Sequence, residues 1–327
     1  MTRQQSRQDF EYFTLVRTAW HAQPEGYTRI NAEFKDRFSR RRHGIERVTI
    51  SASGAILARY LGARPDKKFD SRINIARNFV YMSPSMRALY EYMPGGFVTY
   101  HAYDPDKKYM KNGKRLDMLA RSFFRHSYDG LGVRSRAYAM AWRVTTRYRD
   151  ATDVRWMSIA CGVGQATFDA ARLLPGDVSH FLIDMDGDAL VSARELSESY
   201  NIEADRMQTE QLNVITDNKR LVSRIRQFKP NIVDAMGLFE YLESKDASML
   251  LRSIYEHLPV GGSIFFTNML PSHPHLAVHR RGMGWPGVIV REEREVIEIC
   301  EQAGLPVGNT AVLRPSDGVY AVYEVLK

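Results

Sequence analysis

The chain has 327 residues, of which 44% are hydrophobic, and a formal net charge of +8 at pH 7. This hydrophobic content is ordinary for globular cores, and the length exceeds that of one typical domain, so we expect two units. Two cysteines, Cys161 and Cys300, exclude a disulfide framework and favour a reducing compartment. Because no 18-residue apolar stretch occurs and the first nine residues lack a signal-peptide core, we expect a cytoplasmic protein without a membrane span.

Charge divides the chain into two parts. Residues 1–150 contain 29 Lys+Arg against 14 Asp+Glu, whereas residues 151–327 contain 17 against 24. The basic half either docks on the acidic half or meets an anionic substrate such as RNA, a phosphorylated metabolite or an acidic carrier protein. The sequence has no aromatic-rich RNA-recognition motif, and its tight basic cluster is Arg40–His43.

Residues 1–150 are predicted to be mostly helical. Three apolar residues spaced by four, Ile30, Phe34 and Phe38, predict a helix over 29–42. Further helices are predicted over 51–61, 83–92 and 137–147. Residues 103–115 are polar and rich in turn formers, which indicates an exposed loop, and Gly130 and Gly132 predict a break before the last of these helices.

Two features of the second half point to nucleoside binding. The apolar run 156–159 ends in Ala160-Cys161-Gly162-Val163-Gly164, and a second run ends in Asp184, 22 positions after Gly162. Glycines allow backbone to approach a ligand, and a carboxylate at the next strand end accepts hydrogen bonds from ribose hydroxyls. The dinucleotide pattern G-x-G-x-x-G is incomplete here, because Thr167 stands where the third glycine would be.

More strands follow along the chain. They are predicted over 207–212, 231–235 and 263–268, with a final pair over 307–313 and 319–325. The final pair is expected to form an antiparallel hairpin across Pro315–Gly318.

Taken in order, these segments resemble the class I S-adenosylmethionine-dependent methyltransferase superfamily. The resemblance covers residues 154–327 and implies a Rossmann-like, seven-stranded α/β sheet with helices on both faces, ending in the antiparallel hairpin that dehydrogenase sheets lack. It implies S-adenosyl-L-methionine as the cofactor. We therefore expect a methyltransferase domain over 151–327, preceded by a mostly helical basic domain over 1–150 that covers the substrate.

The resemblance also implies roles for individual residues. The turn residues Ala160, Cys161, Gly162 and Gly164 would bind the cofactor through backbone, and Asp184 would bind the ribose. The remaining predicted contacts are Met185 and Val214 at the adenine, Asn213 accepting from the adenine amino group in place of the family's usual aspartate, Met236 on the methionine side, and Tyr128 or Arg134 near the cofactor carboxylate. The string from Asp129 to Arg136 faintly resembles a bacterial subgroup that includes fatty-acyl carboxyl methyltransferases.

The segment after the fifth strand is the candidate for catalysis. Residues 271–286 contain three of the nine histidines, with two arginines and a tryptophan. A histidine is suited to act as a base near neutral pH when the acceptor arrives protonated. His279 is the first candidate and His275 the second, and we expect no metal because the pair His273 and His275 lacks a third ligand nearby in the sequence.

The sequence therefore predicts methyl transfer to a small-molecule or acyl-type O or N acceptor. Three alternatives stay open: an RNA methyltransferase that uses the basic half, aminopropyl or aminocarboxypropyl transfer on the same fold, and a noncatalytic cofactor-binding subunit. No Asn-Pro-Pro-Tyr motif follows the fourth strand, where Asp234–Gly237 stands instead, which disfavours amino-methylation of DNA bases or glutamine.

Overall fold

The computed structural model describes residues 3–5, 7–63 and 75–327. The strands are β1 Arg3–Gln5, β2 Gln8–Asp9, β3 Phe13–Ala22, β4 Thr28–Asp36, β5 Asp153–Ile159, β6 Asp177–Asp184, β7 Met207–Gln211, β8 Ile232–Ala235, β9 Ser263–Met269, β10 Thr310–Pro315 and β11 Tyr320–Leu326. The helices are α1 Gly44–Gly62, α2 Ile75–Val80, α3 Pro84–Tyr90, α4 Gly96–Tyr103, α5 Met118–His126, α6 Tyr128–Arg147, α7 Gln165–Ala171, α8 Gly187–Ser199, α9 Asn218–Phe228, α10 Ser244–His257 and α11 Glu293–Gln302. Of these helices, none has both the length and the apolar character needed to cross a bilayer.

Seven strands form the sheet that the sequence predicts. Their order is β7-β6-β5-β8-β9-β11-β10, in which β5 to β9 run parallel and β11 is antiparallel to both of its neighbours. Ile159 pairs with Ile183 at the ends of β5 and β6. The glycine turn and Asp184 therefore leave the sheet side by side at its carboxyl edge, where open α/β sheets bind ligands.

Helices cover both faces of this sheet, as predicted. Alternate residues of β5 point to opposite faces, so Met157 and Ile159 pack with α9, α10 and α11. Val154 and Trp156 pack with α6 and α7 on the other face. The sheet is thus the middle layer of an α/β/α arrangement.

The predicted helix over 29–42 is wrong. Residues 28–36 form β4, which pairs parallel to β10 and antiparallel to β3, so the N-terminal strands extend the central sheet. Ile30 and Ala32 are buried and Asn31 between them is exposed, which is the alternation of a strand. Residues spaced by four lie on one face of a strand as well as on one face of a helix. Pairing with β3 and β10 therefore selects the strand here. Only Phe38 lies beyond the strand, in a 3₁₀ turn.

The remaining N-terminal predictions have mixed outcomes. The helix over 51–61 is part of α1, and α3 begins after Ser83, whose Oγ accepts from the Met86 N–H as a helix cap. The predicted break at Gly130 and Gly132 is wrong, because both glycines lie inside α6. A β-carbon at Gly130 would lie 2.0 Å from the Phe124 carbonyl oxygen, so α6 needs glycine there to pack against the end of α5.

Asp234, at the end of β8, holds the layers together beneath the glycine turn. Its carboxylate accepts from Trp156 Nε1 at 2.7 Å, Ser158 Oγ at 3.0 Å and Thr167 Oγ1 at 3.1 Å. These donors come from β5 and α7, the two elements that flank the turn. Burial, only partly offset by these hydrogen bonds, raises the pKa of Asp234 from 3.8 to about 6.

The nearly isosteric change Asp234→Asn is expected to alter how stability depends on pH. Because the pKa is raised in the folded state, the stabilisation is fully present below pH 4 and is lost as the pH rises through about 6. Relative to the variant, the wild type should lose up to about 3 kcal/mol of unfolding free energy between pH 4 and 7. Urea unfolding at several pH values measures this. Asp205→Asn, at an exposed position, is the control, and parallel pH curves for wild type and Asp234→Asn would contradict the prediction.

Candidate functional site

The glycine turn between β5 and α7 exposes backbone at the carboxyl edge of the sheet. Ala160, Gly162 and Gly164 all have positive φ, at 51°, 56° and 73°. Glycine adopts this region without strain, whereas Ala160 adopts it at some cost. The turn is pinned by Asp184, whose Oδ2 accepts from the Gly162 N–H at 2.7 Å.

Asp184 retains capacity to bind a ligand. Its Oδ1 accepts from the Asp186 N–H at 2.9 Å, so each carboxylate oxygen has one backbone partner. A carboxylate has about four lone-pair sites, which leaves capacity for two hydroxyl donors. Burial raises the pKa of Asp184, and backbone N–H groups oppose that shift.

The residues predicted at the adenine lie near the ends of β6 and β7. Met185 follows Asp184 and is 67% exposed, whereas Val214 is buried. Asn213 differs from its predicted role, because its Oδ1 accepts from the N–H groups of Ile215 at 3.1 Å and Thr216 at 3.3 Å. The two lone pairs of the amide oxygen are therefore used by the turn, and its amide nitrogen remains as the group that can contact a base. Met236 is buried directly after β8.

The N-terminal end of α4 lies directly on the glycine turn. A β-carbon placed on Gly96 would be 2.6 Å from Gly162 Cα, and one placed on Gly162 would be 2.9 Å from Gly96 Cα. Two glycines thus permit a backbone contact between the N-terminal half and the nucleoside motif, a contact that no side chain would allow.

The predicted cofactor role of Arg134 does not fit the structure. Its guanidinium is buried and donates to Asp36 Oδ2 at 2.8 Å and to the carbonyls of Ala102, Phe124 and Arg125. These bonds leave the guanidinium committed to the protein interior. Tyr128, the other candidate, packs edge-on against His275 with ring centroids 4.7 Å apart.

A cavity lies beside this edge of the sheet. We call it the acceptor cavity. One part of its wall is apolar and comes from α3, α4, α5, α6 and the connection between α3 and α4, with Met86, Met93, Val98, Phe123, Phe124 and Val133. The other part carries polar groups and rings, with Asp129, Arg136, Glu240, Tyr241, His279, Trp285 and Tyr320.

His279 has the geometry of an oriented base. It lies in the π-helical turn Val278–Met283, and its Nδ1 is 2.5 Å from Asp129 Oδ1. Its Nε2 is buried and has no hydrogen-bond partner among the described residues. The Trp285 ring stacks on the imidazole with centroids 5.7 Å apart. Burial by itself would raise the pKa of Asp129, but His279 and His273 hold it well below its usual range.

A second pair of charges faces the same cavity. Arg136 lies 3.4 Å from Glu240 and 3.4 Å from the Tyr103 hydroxyl, and its guanidinium sits over the Tyr320 ring at 4.5 Å. Arg136 Nε and Glu240 Oε2 are buried without a hydrogen-bond partner among the described residues. Burial raises the pKa of Glu240, and Arg136 opposes that shift. These loosely bonded groups are available to a polar substrate group.

The other two histidines of the segment have different surroundings. His273 Nε2 lies 3.4 Å from Asp129 Oδ1, and its Nδ1 accepts from the His275 N–H. His275 lines a second, mainly apolar cavity with Gly54 and Val278, and Asp129 borders that cavity too. The His275 ring thus faces a different cavity from the one that His279 lines, although Asp129 belongs to both.

Asp129 also supplies the third ligand-type group that the sequence spacing lacked. Asp129, His273 and His279 bring one ligand atom each within 4.8 Å of one another. Ligands of a tetrahedral zinc ion lie about 3.3 Å apart, since each bond is about 2.0 Å long. The 2.5 Å between Asp129 and His279 is shorter than that and is a hydrogen-bond distance.

Sequence reasoning missed Asp129, Arg136, Glu240 and Gly96 as site residues. A signal for two of them exists, because Asp129, Val133 and Arg136 are spaced i, i+4, i+7 on α6 and all line the cavity. Because the prediction places a break at Gly130 and begins the helix at residue 137, these three residues are not recognised as one face of a helix. No local pattern marks Gly96, whose role depends on a contact with a turn 66 residues away.

No family model and no curated protein matches the sequence. Among solved structures, a possible exported protein from Bordetella parapertussis aligns over 86% of this chain and 96% of its own, with 16% identity and a TM-score of 0.62. The S-adenosylmethionine-dependent methyltransferase SibL aligns over 83% and 74%, with 16% identity and a TM-score of 0.49. Magnesium protoporphyrin IX methyltransferase from Synechocystis PCC 6803 aligns over 74% and 97%, with 10% identity and a TM-score of 0.48.

At these identities the similarity concerns the fold. The strand order, the antiparallel β11 and the glycine turn followed by Asp184 are the features that the sequence predicted for this fold. The chain has a Rossmann-like α/β fold whose sheet ends in an antiparallel strand pair.

Proposed function

We propose that the chain transfers the methyl group of S-adenosylmethionine to an O or N acceptor held in the acceptor cavity. The observation that carries the proposal is His279, a residue of the cavity lining whose Nδ1 is bonded to Asp129 and whose buried Nε2 has no hydrogen-bond partner among the described residues. A base oriented by a buried carboxylate is needed when the acceptor arrives protonated. When bound, the cofactor supplies an electrophilic methyl group on a sulfonium, which leaves as a neutral thioether.

His279 Nε2 would take the proton of an acceptor hydroxyl, or would first deprotonate an acceptor ammonium so that its nitrogen has a lone pair for the transfer. Asp129 accepts from Nδ1–H, which sets the tautomer and stabilises the imidazolium that forms. Trp285 limits rotation of the imidazole by stacking on it. Arg136 and Glu240 bind polar groups beside the reacting atom, so that positioning and proton removal act together.

The residues at the strand ends fit the cofactor. Asp184 binds the ribose with its remaining lone pairs, and the backbone of Ala160–Gly164 carries the adenosyl group. Met185 packs on the adenine beside Val214, Asn213 contacts the base through its amide nitrogen, and Met236 lies on the methionine side. Because Gly96 rests on Gly162, α4 acts as the cover of this site, consistent with a substrate-covering N-terminal half.

The cavity favours an acceptor with a polar reactive end and an apolar body. Its polar groups cluster around His279, and the rest of the wall is mainly apolar, with methionines, phenylalanines and valines. The second cavity, under α1, shares Met86, Phe123 and Asp129 with it and is lined mainly by apolar side chains. Two adjoining apolar spaces suit an elongated, acyl-type molecule.

This arrangement ranks the alternatives. RNA methylation is favoured by charge alone, whereas the cavity beside His279 combines a few polar groups with apolar side chains, a lining that suits a small molecule better than a polyanion. Aminopropyl or aminocarboxypropyl transfer would use the same cofactor residues, and product analysis with a methyl-labelled cofactor separates it from methyl transfer. A noncatalytic role would not explain why a buried carboxylate, Asp129, orients His279 at the cavity. The cytoplasmic location stays a prediction from the sequence.

The change His279→Gln is expected to lower kcat about 10²–10⁴-fold, the usual loss on removing a general base. Asp129→Asn should lower kcat as well, because the asparagine no longer fixes the tautomer of His279. Affinity for the cofactor should stay unchanged in both variants. A screen with a methyl-labelled cofactor, before and after ribonuclease treatment, identifies the acceptor, and kcat is then measured on that acceptor. His257→Gln, at the end of α10, is the control. Wild-type turnover in both variants would disprove a base at this position, and loss of turnover on chelation would indicate a metal instead.

Asp184→Ala is expected to weaken binding of S-adenosylhomocysteine by about 2–4 kcal/mol, because it removes two hydrogen bonds to a charged group. Titration calorimetry measures the affinity. Asp188→Ala is the control, since this exposed residue lies on the adjacent first turn of α8. Unchanged affinity in Asp184→Ala would overturn the ribose assignment.

Gly96→Ala tests α4 as a cover. The added methyl group would lie 2.6 Å from Gly162 Cα, which should destabilise the closed arrangement by about 1–3 kcal/mol. We expect faster dissociation of S-adenosylhomocysteine in stopped-flow measurements. Gly62→Ala, a helix-end glycine with no atom within 4 Å of the new β-carbon, is the matched control. Equal dissociation rates in the two variants would show that α4 does not retain the ligand.

A further inference from the structure

Helix α1 has apolar residues on two opposite faces. Ile50, Gly54 and Leu57 line the second cavity on its inner face. Ile45, Val48 and Ile56 are 86%, 66% and 69% exposed, and they lie three, eight and eleven positions apart on the outer face. The other exposed positions of this face are Thr49, Ala52, Ala55 and Arg59. The outer face therefore contains no acidic residue.

The helix is held to the protein near its two ends. Of its 19 residues only Leu61 is buried, and Leu57, Ala58 and Tyr60 are partly buried beside it. Arg281 donates to the Leu61 carbonyl at this end, and at the other end the Glu46 carboxylate bonds His43, Ser122, Arg125 and His126. Burial alone would raise the pKa of Glu46, but these partners lower it to about 2. A helix with apolar residues on both sides is stable when both faces are covered by apolar groups. The described part of the chain covers only the inner face of α1.

The surroundings of the outer face are strongly basic. Residues 37–63 contain six arginines and one acid, Glu46, which points into its own cluster. Arg40, Arg41 and Arg42 are exposed just before the helix, and Arg59 is exposed near its end. Exposed arginines are attracted to the surface of an anionic bilayer, and exposed aliphatic side chains near them can enter its headgroup region.

We propose that α1 binds the surface of anionic membranes, with Ile45, Val48 and Ile56 inserted among the lipids and Arg40–Arg42 and Arg59 against the headgroups. This surface is unsuited to a second copy of the chain. Antiparallel pairing would place Arg59 near Arg40–Arg42 of the other copy, and parallel pairing would oppose identical arginines, with no acid on either face to compensate. Isolated aliphatic residues between the arginines are equally unsuited to RNA, which aromatic and basic side chains bind. The proposal stands independently of the reaction that the chain catalyses.

Sedimentation with lipid vesicles tests this proposal on the full chain. Wild type should sediment with vesicles of equal parts phosphatidylcholine and phosphatidylglycerol, but not with phosphatidylcholine alone. The triple variant R40Q/R41Q/R42Q should bind roughly 100-fold more weakly, because each arginine near the surface contributes about fivefold. The double variant I45S/I56S leaves the charge unchanged and should bind at least about tenfold more weakly. Val260→Ser, at an 89% exposed apolar residue after α10, is the matched control and should bind like wild type.

Several outcomes would overturn the proposal. Absence of wild type from the anionic vesicles would do so, as would equal binding by I45S/I56S and wild type. A dimer in lipid-free ultracentrifugation that I45S/I56S converts to monomer would identify the face as a contact between copies. RNA binding that needs the arginines, without any vesicle binding, would identify a nucleic-acid surface. Circular dichroism melting of every variant confirms that lost binding reflects the surface and not the fold.

Discussion

The buried guanidinium of Arg134 is the constraint on which the acceptor cavity depends. It donates to Asp36, the last residue of β4, and to carbonyls near the ends of α4 and α5, while Arg134 itself belongs to α6. A buried charge is costly unless all of its donors are bonded, so these four elements must meet in one arrangement. Three of them, α4, α5 and α6, supply the apolar wall of the cavity. Arg134, predicted from the sequence to bind the cofactor, therefore holds together the elements that line the cavity.

The two halves of the chain share one sheet and one site. β4 extends the sheet through β10, and Gly96 of α4 rests on the glycine turn. Asp129 comes from the N-terminal half and His279 from the segment after β9. The proposed base therefore exists only when both halves are folded together. Part of the basic charge of the first half is used internally, as in the pairs of Arg143 with Glu324 and Arg29 with Glu293.

The sequence predicted the fold of the second half well because its signals are local. Buried parallel strands appear as continuous apolar runs, and Asp184 follows one of them at the spacing expected of a nucleoside site. The predictions fail where contacts between residues far apart in the sequence determine the secondary structure or the site. Ile30 and Phe34 fit a helix as well as a strand, and pairing with β3 and β10 selects the strand. Asp129 and His279 are 150 residues apart, so no spacing in the sequence reveals their hydrogen bond.

The protonation of His279 tests the account most directly, because the proposed base needs a free Nε2 whatever the acceptor is. Nitrogen-15 NMR of histidine-labelled protein at neutral pH, assigned with the His279→Gln variant, reports which ring nitrogen carries the proton. We predict a proton on Nδ1, shared with Asp129, and an unprotonated Nε2. A neutral ring with its proton on Nε2 would have no proton on Nδ1 to donate to Asp129. That result would contradict the assignment of His279 as the base.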